Sequence, residues 1–193
     1  MLKKIPTIVG NVALWAGTLF FLWPIYWMLT GSFKQLKVAL QIPPEWFPRQ
    51  PTLENFRILA FDFPLFRWLY NSMFISVTAT VLVIAVSSLA AYAFAKVPFK
   101  GSRPLFALMI ASMSIPHTVL LIPLFQMMNK LGLNNTLWGV LLPLVGWPFG
   151  VFLLRQFMST LPGALIEAAK IDGCGEWQTF FRIMLPLAKP GIA

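Results

Sequence analysis

The residues able to do chemistry are few, and most are gathered near the end of the chain. Glu167-Ala168-Ala169-Lys170-Ile171-Asp172-Gly173, followed ten residues past that glycine by Ile183-Met184-Leu185-Pro186, forms a polar island in an otherwise apolar sequence. Elsewhere the reactive inventory is short: His117 is the sole histidine and Cys174 the sole cysteine. One cysteine permits neither an intrachain disulfide nor a cysteine-based metal cluster, and Cys174 reads as a small residue in a loop. His117 has no partnered acid or nucleophile in the apolar stretch around it, so catalysis there is not supported. A Gly-x-x-x-x-Gly-Lys-Ser/Thr phosphate loop is missing, which excludes an ATPase of that type. The expectation is a protein without covalent chemistry or cofactor of its own, whose polar island is a contact surface.

Local sequence rules shape that island. Ser159-Thr160-Leu161-Pro162 offers a hydroxyl cap and a first-turn proline, predicting a short helix through about Ile171. Asp172-Gly173 stops it, because glycine accepts the left-handed conformation that closes helices. A second helix is expected from about Glu176, with Trp177, Phe180, Phe181 and Met184 on one face and Glu176, Gln178, Thr179 and Arg182 opposite. Pro186 and Pro190 prevent its unbroken continuation. Taken alone, the aromatic stripe also suits an amphipathic helix lying on lipid headgroups. The knob as a whole does not, since that reading gives no reason for Glu-Ala-Ala and Asp-Gly to stand at this spacing before Leu-Pro.

The rest of the chain places the island at a membrane. Hydrophobic residues make up 58% of the 193 and charged residues 11%, more apolar surface than a soluble domain of this size buries. Four stretches carry no Asp, Glu, Lys or Arg: Lys4 to Lys34, Arg67 to Lys96, Arg103 to Lys130 and Lys130 to Arg155. Each exceeds the roughly 20 residues a helix needs to cross the hydrocarbon. The absence of period-2 alternation excludes barrel strands. The predicted fold is an all-α polytopic bundle with transmembrane helices at about 8–30, 69–95, 105–128 and 135–154. An external segment at 31–67 and a polar segment at 156–190 complete a single membrane domain. The first apolar run is too long for a signal peptide and is read as a retained helix. A cytoplasmic N-terminus puts Lys96, Lys100 and Arg103 in one compact inner loop, and Tyr26, Trp27, Trp68 and Tyr70 near the outer interface. The net charge of +9 is scattered along loops, which argues against nucleic acid.

The island matches a known pattern at every fixed position: Glu-Ala-Ala, three residues, Gly, nine residues, Ile-x-Leu-Pro. It resembles the cytoplasmic loop by which membrane subunits of binding-protein-dependent ABC importers engage their ATPase. Further similarity lies in Gly31-Ser32-Phe33-Lys34, Asn71-Ser72, Ala90-Ala91-Tyr92-Ala93-Phe94, Ile115-Pro116, Ile122-Pro123 and Phe152-Leu153-Leu154-Arg155-Gln156-Phe157. The chain looks like a maltose-type, carbohydrate-uptake permease of a bacterial or archaeal cytoplasmic membrane. That resemblance implies an ATPase subunit as partner, with ATP and magnesium bound there, together with a second permease subunit and an extracytoplasmic solute-binding protein. It assigns ATPase coupling to Glu167, Ala168, Ala169, Asp172 and Gly173, with Trp177, Phe180, Leu185 and Pro186 in the same loop. The family has six helices, and the chain stops at Pro190-Gly191-Ile192-Ala193, at the threshold of the fifth, so two are expected to be missing.

Asn71, Ser114, His117 and Gln126 are the candidate polar residues of a translocation path. Serine and threonine in such helices more often bond to their own backbone, and a histidine beside a proline to a freed carbonyl. Pro116 and Pro123 serve equally as a gating joint or a static kink. The function implied is import of a sugar or related small solute, driven by ATP on the partner. Alternatives are a permease for a non-sugar solute such as glycerol phosphate, or a secondary transporter or channel.

Overall fold

Backbone that leaves water must satisfy its own amides, and the described chain does so with helices throughout. The computed structural model describes residues 4–192. Its elements are α1 (Lys4–Ser32), α2 (Leu36–Ala39), α3 (Glu54–Phe61), α4 (Leu65–Lys96), α5 (Ser102–Ser112), α6 (His117–Lys130), α7 (Leu137–Val145), α8 (Pro148–Thr160), α9 (Ala164–Ile171) and α10 (Glu176–Thr179). A π-helical turn (Phe180–Met184), α11 (Leu185–Leu187) and α12 (Lys189–Ile192) follow. Two units divide the chain, one ending at Leu69 and the other beginning at Tyr70, within α4.

In the first unit α1 is long and apolar enough to cross a membrane from Ile8 to Ser32. Its hydroxyls are absorbed by its own backbone: Thr18 Oγ1 donates to the Leu14 carbonyl at 2.8 Å and Thr30 Oγ1 to Tyr26 at 3.0 Å. The proline-rich segment folds back onto the end of the helix. Trp46 lies with its ring centre 5.1 Å from Trp23 and 6.1 Å from Trp27, and its carbonyl accepts the Tyr26 hydroxyl at 2.7 Å. Lys34 is buried at 3% exposure, its ammonium donating to the Glu45 carbonyl and lying 4.5 Å from the Trp27 ring centre. Asn55 Nδ2 closes the join by donating to the carbonyls of Ser32 and Lys34.

In the second unit the stretch expected as one helix over 105–128 is instead two, α5 and α6, bent by 102°. Pro116 prevents an unbroken helix, having no N–H and pushing Ile115 away from helical geometry. The chain winds through the break on tight i→i−3 bonds from Met113, Ser114 and Ile115. Pro123, by contrast, is carried inside α6. The stretch expected at 135–154 is likewise in two pieces, because Pro148 restarts the helix as α8 after Gly146-Trp147. Together α7 and α8 form one apolar stretch from Leu137 to Thr160, long enough to cross a membrane. Thr136 opens α7 by accepting the Gly139 N–H at 3.1 Å. The Ser159 and Thr160 hydroxyls, expected to cap the next helix, bond back to Arg155 and Phe157 carbonyls.

Burial in this unit is concentrated at one end. Ala91, Tyr92, Leu154, Met158, Ile166, Phe180, Met184 and Ala188 form one cluster where α4 and α8 meet the segment after Leu161. Long apolar faces of α4 to α7 remain exposed, as helices solvated by lipid require. Small residues permit the close approaches: a Cβ on Gly150 would stand 2.5 Å from Ser87 Oγ, and one on Gly191 would stand 2.8 Å from the Phe157 ring. Gly150→Val therefore overpacks the α4–α8 contact and lowers stability by about 1–3 kcal/mol. Gly17→Ala, where nothing lies within 4 Å, leaves the thermal midpoint in detergent nearly unchanged.

Candidate functional site

α9 carries the Glu-Ala-Ala residues and ends in a hydrogen-bonded glycine turn. Gly173 has φ 77, Cys174 N–H donates to the Ala169 carbonyl at 2.8 Å, and Gly173 N–H to Lys170 at 3.1 Å. This pair of bonds closes the last helical carbonyls in a Schellman arrangement. Gln178 Oε1 then accepts the Gly175 N–H at 3.2 Å, opening α10. The outcome is a rigid elbow. Ile166 and Ala169 point into the core, while Glu167, Ala168, Asp172 and Gly173 are exposed around the elbow. Among the described residues the Glu167 and Asp172 carboxylates form no ion pair.

The expected single aromatic face is split. Phe180 and Met184 are buried at 2% and 0%, whereas Trp177 and Phe181 are mostly exposed and stack on each other at 6.1 Å and 17°. The π-helical turn is the reason, since its wider i→i+5 winding moves successive residues off the α-helical positions. Thr179, expected opposite the aromatics, is fully buried and donates to the Gly175 carbonyl at 3.1 Å. Leu185 packs against the core, and Pro186 lies exposed in α11, where the winding changes again.

The candidate path residues are spread over two helices and the break before one of them. Ser114 lies in the break between α5 and α6, His117 opens α6, Gln126 follows on the same helix, and Asn71 is on α4. Among the described residues no side-chain hydrogen bond joins any two of them. His117 rests its ring against Trp147, centroids 5.0 Å apart, rather than on a carbonyl freed by Pro116.

Sequence reasoning missed the residues that anchor the elbow to the helices. Tyr92, near the end of α4, donates its hydroxyl to Glu176 Oε2 at 2.7 Å. Lys170 Nζ lies 3.3 Å from the other carboxylate oxygen, so Glu176 joins α4, α9 and α10. Tyr92 also packs on Phe180 at 5.4 Å. Lys96 Nζ donates to the Leu161 carbonyl at 2.6 Å, tying the end of α4 to the end of α8. The available signal was the tyrosine itself, because a buried phenol at the end of an apolar helix needs an acceptor. The Tyr92 hydroxyl, and then the Lys170 ammonium, hold the Glu176 carboxyl below its ordinary range against the opposing effect of burial. A depressed carboxyl pKa means that the bond stabilises fully above the unfolded value, roughly 4.3, and is lost as pH falls through the folded value. Glu176→Gln should therefore lower the thermal midpoint at neutral pH, and the gap to the unsubstituted protein should close on acidification below about pH 4. Tyr92→Phe costs about 1 kcal/mol at neutral pH, read from the same unfolding curves.

Residues 84–193 match the family described as "Binding-protein-dependent transport system inner membrane component". The diacetylchitobiose uptake system permease of Streptomyces coelicolor is 35% identical over 176 residues, 88% of this chain and 57% of that protein. The arabinooligosaccharides transport system permease of Halalkalibacterium halodurans is 43% identical over 147 residues, 76% of this chain and 53% of its own length. An Escherichia coli inner membrane ABC transporter permease is 31% identical, covering 95% of this chain and 69% of that one. The crystal structure of a bacterial ABC transporter involved in the import of alginate superposes with a TM-score of 0.84 at 25% identity, over 98% of this chain and 67% of that chain. The chain thus spans about half to two thirds of the length of such relatives. In fold and in sequence, this chain belongs to the binding-protein-dependent transport system inner membrane components.

Proposed function

We propose that the chain is a membrane-spanning subunit of a heteromeric ABC importer that moves a sugar or related small solute across the cytoplasmic membrane. The observation that carries this reading is the elbow of α9 and α10. It exposes Glu167, Ala168, Asp172 and Gly173 while Tyr92, Glu176 and Lys96 fasten its base to α4 and α8. A body pressed against such an elbow moves the helices behind it. The sugar class is supported by the names of the similar permeases, which import diacetylchitobiose and arabinooligosaccharides.

In this reading the N-terminus is cytoplasmic and the elbow docks on a separate ATPase subunit that holds ATP and magnesium. A second permease subunit completes the pathway, and an extracytoplasmic binding protein delivers the solute. Glu167, Ala168, Asp172 and Gly173 form the docking surface, and the buried Ala169 seats it against the core. Trp177 and Pro186 extend it, while Phe180 and Leu185 support it from the core. Asn71, Ser114, His117 and Gln126 contribute polar groups to the solute path. Nucleotide-driven closure of the ATPase shifts the helices only if docking favours one arrangement over another, since a ligand moves an equilibrium by its differential affinity alone.

The test is paired measurement in the assembled transporter. Glu167→Ala and Gly173→Val, the latter strained at positive φ, should reduce solute uptake at least tenfold and weaken ATPase co-purification. Uptake and co-purification at unsubstituted levels for both variants overturn the coupling assignment. Uptake that persists without ATP but collapses with the ion gradient would identify a secondary transporter instead.

A further inference from the structure

Lys96 ends α4, Lys100 lies in the connection to α5, Arg103 stands in the first turn of α5, and Arg155 is on the facing helix α8. Between them opens a cavity of about 200 Å³, lined by Phe94, Ser102, Arg103, Phe106, Ile110 and Arg155, with Ala107 at its wall. Two arginines thus border one small space. Among the described residues neither forms an ion pair with a carboxylate. Arg155 is fixed with Cζ 4.1 Å from the Phe106 ring centre, and its Nε is buried without a hydrogen-bond partner. Arg103 lies in the first turn of α5, an eleven-residue helix whose N-cap, Gly101, provides no side-chain acceptor. The positive end of that helix therefore adds to the field of the two arginines.

We propose that this cavity binds a phosphate-bearing anion, supplied as the headgroup of an anionic phospholipid. Like charges around a confined space repel until a counter-charge enters, and guanidinium forks match phosphate oxygens in pairs. The Ser102 hydroxyl provides a further donor. The remaining wall is apolar, with Phe94, Phe106, Ala107 and Ile110, which suits the glycerol and upper acyl carbons of a lipid better than a fully hydrated ion. The volume equals that of roughly six to seven waters, enough for a phosphodiester group. Its place fits too. The Lys96 to Leu161 bond sets this loop at the end of the span where α8 leaves the membrane, and basic pockets between helices at such a level receive lipid headgroups. The inference requires only that the helices lie in lipid, so it stands apart from the importer reading.

The test uses the full-length protein in a neutral detergent. Thermal midpoints are followed while phosphatidylglycerol, phosphatidylcholine or sodium phosphate is titrated in, and retained lipid is read by native mass spectrometry. Phosphatidylglycerol should raise the midpoint and be retained, whereas phosphatidylcholine should do neither. Arg103→Gln, at an exposed position, should weaken the phosphatidylglycerol response about tenfold. Arg103→Lys keeps the charge without the paired donors and should fall between. Lys130→Gln, which does not border the cavity, should respond like the unsubstituted protein. Stabilisation by sodium phosphate with the same dependence on Arg103 would keep the anion site but assign it to the free ion. Equal responses to phosphatidylglycerol from the unsubstituted, Arg103→Gln and Arg103→Lys proteins, with none to phosphate, overturn the proposal.

Discussion

A peptide amide carried into hydrocarbon has no water to bond, and most of this architecture follows from that deprivation. The spans are helices, and where proline interrupts one, the chain crosses the gap on the shortest hydrogen-bonded turn available. Met113 to Ile115 do this before Pro116. The same scarcity recruits side chains. Thr80 donates to Ser76, and Ser112 to Met109, so hydroxyls that look like a polar lining are already engaged with their own backbone. Polarity along these helices is consequently a poor guide to the route a solute takes.

Where water returns, the protein builds its one dense cluster in the second unit. A 32-residue α4 is about 48 Å long against roughly 30 Å of hydrocarbon, so it either tilts or extends beyond the apolar layer. Its final turns carry Ala91, Tyr92 and Lys96 into contact with the elbow and with α8. Alanines and Gly191 allow α12 to lie close against Phe157. The exposed apolar faces farther along are adapted to lipid or neighbouring helices, whereas this end is packed like a soluble domain. The buried cluster therefore lies next to the surface proposed to receive force.

Much of this was legible in the sequence. Charge-free intervals reveal spans because burying a charge in lipid is costly, and Asp172-Gly173 reveals the stop because left-handed backbone favours glycine. What escaped was set by contacts distant in the chain or by small changes in winding. Nothing near Tyr92 announces Glu176, 84 residues later. The hydroxyls of Ser159 and Thr160 had two acceptable uses, and the apolar sequence of α8 continued far enough for the backward bond to prevail. Pro116 was visible as a breaker, but a bend of 102° depends on three consecutive tight turns that proline alone does not dictate.

The π-helical turn from Phe180 to Met184 places one extra residue in a winding, as an insertion does in a reading register. Each residue of an ordinary helix advances about 100°, and the wider winding advances each by less, which makes room for the extra one. It is this winding that lets Phe180 and Met184 face the core while α11 and the residue that caps it still present Leu185 and Ala188 to it. Removing a single residue between Phe180 and Met184 would return the turn to α geometry with little rotation of the downstream chain, because four α residues sweep about the same angle as five wound on i→i+5 bonds. The turn thus absorbs a residue without re-aiming its continuation, and a length change here alters the winding rather than the direction.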